Sequence, residues 1–218
     1  MDILNALLVA PFKDIFGSPL FLAEVIVGGL LTGVMYSLVA LGFVLIFKAS
    51  GVFNFAQGSM VLFAALTLVG LMERGVPVWL AIVLTLAVMV VLAYLIEALM
   101  LRPLVNQEEI TLFMATIGLS FLIQGAGELM WGSNVKRLDI GIPDQTFSAG
   151  GIFVNQLDLF AAVIAGVLVA LLALLFQKTR VGRALRAVAD DHQAALSVGI
   201  PLKTIWTIVW SVAGAVAL

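Results

Sequence analysis

The sequence predicts an all-α fold, a polytopic bundle of transmembrane helices, on three observations. Hydrophobic residues fill 63% of the 218 positions and charged residues only 11%, where soluble domains carry about 25%. The mean hydropathy is +1.19. The apolar residues fall in blocks long enough to cross a bilayer, which takes roughly 20 residues as a helix. Such a chain has room for several spans and short loops but no separate soluble domain, so 1–218 is read as one transmembrane domain.

Ahead of the first block stands MDILNALLVAPFKDIFGSP, with Asp2 where a secretory leader carries basic residues. Ile3, Leu4, Leu7, Leu8, Phe12, Ile15 and Phe16 follow near-helical spacing. Two readings of 1–19 stay open, an amphipathic helix on the membrane surface and a poorly ordered leader. The blocks follow as Leu20–Phe47, Val52–Met72, Val76–Leu101, Ile110–Trp131, Leu157–Phe176 and Leu202–Leu218. Five are expected to be complete spans. The sixth has no polar flank and is read as truncated, with later spans missing, because a helix stopping in hydrocarbon leaves its last carbonyls unpaired.

Basic residues concentrate on cytoplasmic loops. Placing the loop from Lys178 to Lys203 inside and alternating backwards puts Lys48, Arg102, Lys178, Arg180, Arg183, Arg186 and Lys203 inside. Lys13, Arg74, Lys136 and Arg137 fall outside. The N-terminus is then expected outside the cytoplasm. The largest external loop is Gly132–Gln156, whose stretches Val135–Ile142 and Thr146–Val154 flank Pro143-Asp144. A hairpin and a helical lid both fit it.

Chemistry is excluded more firmly than it is indicated. Cysteine is absent, which removes disulfides, thiolate metal sites and thiol catalysis. A single histidine argues against a histidine-built metal centre. No GxxxxGK[ST], HExxH or GxSxG occurs. No catalytic residue, cofactor or metal is expected on this chain, and any active transport would draw on a separate subunit or an ion gradient.

Polar residues inside the spans are the candidates for a pathway. Gly28, Gly29, Gly33, Ser37 and Gly42 recur near helical spacing in the first block and fit close helix packing. Asn54, Gln57, Gly58 and Ser59 open the second block. Buried amides in a membrane face protein or a wet path, and this group suits a broken helix meeting a polar solute or a cap plus an interhelical bond. Glu97 and Arg102, five apart before Pro103, either pair or reach separately to water. In the fourth block Thr116, Ser120, Gln124 and Glu128 add hydroxyl, amide and carboxylate. Gln124 and Glu128 share a helix face that lines an entry vestibule or bonds the fifth span.

The polar island Lys178–Ile200, KTRVGRALRAVADDHQAALSVGI, separates the last two blocks. Val181, Leu185, Val188 and Leu196 make a narrow apolar stripe, Ala184, Ala187, Ala194 and Ala195 keep the surface small, and Gly199 is a helix terminator. The segment suits a groove on a partner and equally a position on lipid head groups.

Three stretches resemble the permease subunits of bacterial branched-chain amino acid ABC importers: Gly29–Gln57, Leu99–Gln124 and Thr179–Ile200. The third resembles that family's cytoplasmic coupling loop. The resemblance implies an ABC importer permease fold in the bacterial inner membrane, and ATPase contacts at Gly182, Leu185, Arg186, Ala187, Asp190, Ala194, Gly199 and Ile200. It also implies partners: ATP-binding subunits that hydrolyse the ATP, a second homologous permease and a periplasmic amino-acid-binding protein. Translocation of leucine, isoleucine or valine is the expected function. A urea or short-amide ABC permease and an ion-coupled secondary amino acid transporter are the alternatives.

Overall fold

The computed structural model describes residues 10–104, 107–142, 145–199 and 202–218. Its helices are α1 (Ala10–Gly17), α2 (Pro19–Ser50), α3 (Gln57–Glu73), α4 (Val78–Ile96), α5 (Glu109–Trp131), α6 (Gln156–Lys178), α7 (Arg180–Asp190), α8 (His192–Ser197) and α9 (Leu202–Val216). A π-helical turn, Glu97–Leu101, and a 3-10 turn, Arg102–Leu104, extend α4. Strands β1 (Thr146–Ala149) and β2 (Ile152–Asn155) complete the described elements.

Among the described residues four helical stretches are long and apolar enough to span a membrane: Pro19–Ser50, Val78–Leu104, Ile110–Trp131 and Gln156–Lys178. The expected second span, Val52–Met72, is not one helix. The chain leaves α2 at Gly51 (φ 68°), in the left-handed region that costs glycine least. It runs without helix to Phe55 and re-enters as the 17-residue α3. The last apolar helix, α9, has 15 residues. Of the five complete spans and truncated sixth expected, four reach crossing length among the described residues, and the second and sixth blocks are the two shorter apolar helices.

The chain divides into two compact units. One comprises Met1–Ser37 with Gly141–Leu168. In it α1 exposes Phe12 and Phe16 one turn apart, and residues 1–9 of the expected surface helix lie outside the described residues. The loop Gly132–Gln156 forms a hairpin inside its second stretch, pairing Thr146 with Asn155 and Ala149 with Ile152, not between the two stretches around Pro143-Asp144, a pair outside the described residues. Gly150 and Gly151 both take positive φ, 63° and 88°, as the preferred two-residue hairpin turn requires. The Phe153 amide donates to the Glu24 carboxylate of α2 at 2.8 Å. Gly28, Gly29 and Gly33 meet no neighbour within 4 Å of a built Cβ. Among the described residues these three glycines do not make the close packing expected of them.

The second unit, Leu38–Ile140 with Val169–Leu218, holds the main core. There α3 packs on α5 and α4, and α4 on α9, around Ile46, Met60, Met89, Val188, Val209 and Trp210. At the end of α4 the Arg102 guanidinium grips the fully buried Glu97 carboxylate with two bonds of 2.9 and 2.8 Å. Thr207 of α9 adds a third donor at 3.2 Å. Residues five apart in an α-helix lie on different faces. The π turn, closed by the Arg102 amide on the Glu97 carbonyl, inserts the residue that brings them together. Breaking one half of a buried pair strands the other charge, whereas an apolar replacement of both is tolerated. Glu97→Leu is therefore expected to lower the melting temperature of the detergent-solubilised protein by several degrees. Glu97→Leu with Arg102→Met is expected to restore most of it, and an additive second loss would contradict the pairing.

Candidate functional site

The break between α2 and α3 leaves backbone groups without helical partners between two apolar helices, and such irregular chain needs protein groups to satisfy it. Three side chains do so. The Asn54 Oδ1 accepts the Ala56 amide at 3.1 Å. Thr116 of α5 accepts the Phe55 amide at 3.3 Å and lies 3.1 Å from the Phe53 carbonyl. Trp206 of α9 donates to the Ala49 carbonyl at 2.7 Å. Asn54 Nδ2 then donates to Gln57 Oε1 (3.3 Å), and Gln57 Nε2 reaches the Ala213 carbonyl of α9 (3.5 Å). Asn54, Gln57 and Thr116 are all buried. Gly42 makes room for the Gln57 amide, since a Cβ there would stand 2.6 Å from Nε2. A series of rings, Phe43, Phe53, Phe55 and Phe113, flanks the break, the outer two pairs edge-to-face and the middle pair tilted.

One turn further along α3 lies a second polar group. The Ser59 and Ser120 hydroxyls share a 2.6 Å hydrogen bond, and Gln124 Nε2 donates to both, at 2.9 and 3.3 Å. Gln124 thus bonds α3, and not the fifth block as one expectation had it. Glu128 follows one turn later and is exposed, as is Gly58. The candidate pathway residues thus form a buried cluster at the break, a hydroxyl–amide bridge, and an exposed edge carrying Gln124 and Glu128.

The polar island is two helices hinged at Asp191. Thr179 caps α7 by accepting the Gly182 amide at 3.1 Å. Asp191, extended at φ −156°, ends α7 and accepts the Ala194 amide at 3.0 Å to start α8. Leu185 and Val188 are buried in the core, with Ala195. Leu185 and Val188 of the apolar stripe are thus spent inside the chain, Val181 is half-buried, and the Leu196 side chain lies outside the described ones. The surface left open carries Arg183, Arg186, Asp190 and Ala194, with Ala187 half-buried. The Arg186 guanidinium donates to the Phe176 and Gln177 carbonyls at 2.5 and 3.5 Å, the favourable place for a cation at the end of α6. Gly199 ends the island in the left-handed region, φ 81°, and Ile200 lies outside the described residues.

A sequence profile described as branched-chain amino acid transport system, permease component, matches residues 25–218. The chain belongs to this family. It is 27% identical over 205 residues to the high-affinity branched-chain amino acid transport system permease protein BraD of Pseudomonas aeruginosa, covering 88% of this chain and 67% of that one. It is 23% identical to the corresponding LivH protein of Escherichia coli, covering 91% and 68%. A fructose import permease protein, FruF of Bifidobacterium longum, is 27% identical over 84% of this chain and 49% of its own. No solved structure gives a significant match. A permease component has no need of a catalytic centre, and what the two polar clusters provide is positioning: each ties neighbouring helices through side chains.

The roles of Gly42, Trp206 and Thr207 were not foreseen from the sequence. Gly42 was legible as one small residue in a run of them. Its partner Gln57 was visible too, but nothing in the spacing joins residues in separate blocks. Trp206 and Thr207 read as ordinary members of an apolar helix.

Proposed function

We propose that this chain is one permease subunit of an ATP-driven importer of branched-chain amino acids, working with ATPase subunits, a second permease and a solute-binding protein. The substrate is inferred from BraD and LivH by their names; the fructose permease relative makes solute the property most in need of measurement. The N-terminus is external and the island internal, following the basic-residue distribution.

One observation supports the mechanism above the others. The coupling segment is packed by Leu185 and Val188 into the same core as Ile205 and Val209 of α9, and α9 supplies the acceptor for Gln57 at the break. A push on α7 and α8 from an ATPase is thereby delivered to α9, then to α4 through packing and to the broken helix through Gln57. The access change is a rocking of packed helices, and this chain performs no covalent step.

The test is uptake of labelled leucine, isoleucine and valine into proteoliposomes holding the full complex, with ATP inside and binding protein outside. Uptake requiring both is expected. Uptake driven by an ion gradient without the ATPases would replace this reading by that of a secondary transporter. Ala194→Trp, at an exposed position of α8, is expected to abolish solute-stimulated ATP hydrolysis by blocking the ATPase contact without entering the core. Unchanged stimulation would remove the island from that interface.

A further inference from the structure

We propose that the end of this subunit carrying Trp131 holds a receiving site for a zwitterionic amino acid with an aliphatic side chain, in a cavity between α3, α5 and the chain that follows α5. The proposal rests on the reading of this chain as an amino acid permease.

The cavity has a volume of about 440 Å³, within the roughly 300–1,000 Å³ range of small-molecule sites. Its wall on α3 is aliphatic, from Leu62, Leu66 and Val69. Its side on α5 carries Gln124 and Glu128, one turn apart. The far side is the loop with Asn134 and Lys136. Three contacts hold that loop end in place. The Trp131 ring lies where a Cβ on Gly70 would be, 2.1 Å from the nearest ring atom. Arg74 stacks over the Trp131 ring at 4.6 Å. Lys136 pairs with Glu73 at the end of α3.

The polar groups are divided by sign. The Glu128 carboxylate has no hydrogen-bond or ion-pair partner among the described residues. Glu128 stands exposed in the last turn of α5, on the side that lines the cavity, so its oxygens are open to a ligand. Gln124 spends its amide nitrogen on Ser59 and Ser120, which leaves its carbonyl oxygen as an acceptor. Two acceptors one turn apart on one helix suit an ammonium group. Across the cavity Lys136 uses one of its donors on Glu73, and its remaining donors with the Asn134 amide suit a carboxylate. The aliphatic wall then takes the side chain. A sugar would need hydroxyl partners along that wall, and Leu62, Leu66 and Val69 give none.

The experiment uses the full complex in lipid nanodiscs, without the binding protein, and a diazirine analogue of leucine as photoprobe. Labelling is expected within 62–69 and 124–138. It should be competed by leucine, but not by 4-methylpentanoate, which lacks the ammonium, or by 3-methylbutylamine, which lacks the carboxylate. Glu128→Gln and Leu66→Trp are each expected to reduce labelling by about tenfold or more, the loss that one charge-assisted contact or a filled cavity carries. No labelling there in a wild-type complex that imports leucine would overturn the site and leave the permease reading intact. Equal competition by either truncated analogue, or labelling that leucine does not compete, would also overturn it. Failure of the wild-type complex to import any aliphatic amino acid would instead overturn the permease reading itself.

Discussion

Gly182→Ala is expected to reduce solute-stimulated ATP hydrolysis of the reconstituted complex to its unstimulated rate. The added Cβ would stand 1.9 Å from the Phe176 carbonyl oxygen and 2.5 Å from the Phe176 Cα. Both are backbone atoms of α6, so no side chain can turn aside and the α6–α7 junction has to open. Opening it loosens the Thr179 cap on the Gly182 amide, a contact worth about 1 kcal/mol. It also draws out Leu185 and Val188, whose burial contributes roughly 1.5–3 kcal/mol each. The island would remain attached but would no longer transmit a push to α9. Gly118→Ala is the control, since a Cβ there meets nothing within 4 Å. Full stimulation in a folded Gly182→Ala complex would show that the junction plays no part in coupling.

The fold was legible in the sequence where one physical rule acts alone. Apolar block length located the helices that cross, because each must satisfy its own backbone in lipid. Gly199 as a terminator followed from local backbone preference. The second block was harder. Its hydropathy is that of a span, yet Gly51 and Asn54 break it. Such a break depends on Thr116 and Trp206, from blocks far along the chain, arriving to satisfy it. The island shows a similar limit. Its stripe of Val181, Leu185 and Val188 announced a buried face, but a pattern does not say against what. For Leu185 and Val188 the structure gives the answer as the chain's own core. For Glu97 and Arg102 the sequence left pairing and separate reach to water open, and the π turn, invisible in the residue pattern, is what makes the pair.

Asn54→Leu is expected to be the most damaging change at the helix break. Asn54 is fully buried and works in two directions: its carbonyl oxygen holds the Ala56 amide and its amide nitrogen holds Gln57. Leucine fills a similar volume and does neither. A buried donor left without a partner costs about 1–3 kcal/mol, and here the Ala56 amide is one such group. The Gln57 carbonyl oxygen loses its partner as well, so two penalties arise from one substitution. Gln57→Leu should cost less. It leaves the Asn54 amide with the weak Met60 sulfur at 3.8 Å but keeps the Ala56 bond. Gly42→Ala should resemble Gln57→Leu, because its Cβ would occupy the space of the Gln57 amide at 2.6 Å. Melting of the purified protein should therefore rank Asn54→Leu below both others, with those two close together. If the break is also the hinge of access, uptake should fall more than stability does. A Gln57→Leu protein that remains folded would then still bind the ATPases while importing about tenfold less, the rate equivalent of roughly 1.4 kcal/mol at the barrier. Equal melting temperatures for all three variants would mean that the amides do not hold the break. Unchanged uptake by folded Gln57→Leu would mean that the link from α9 to α3 carries no motion.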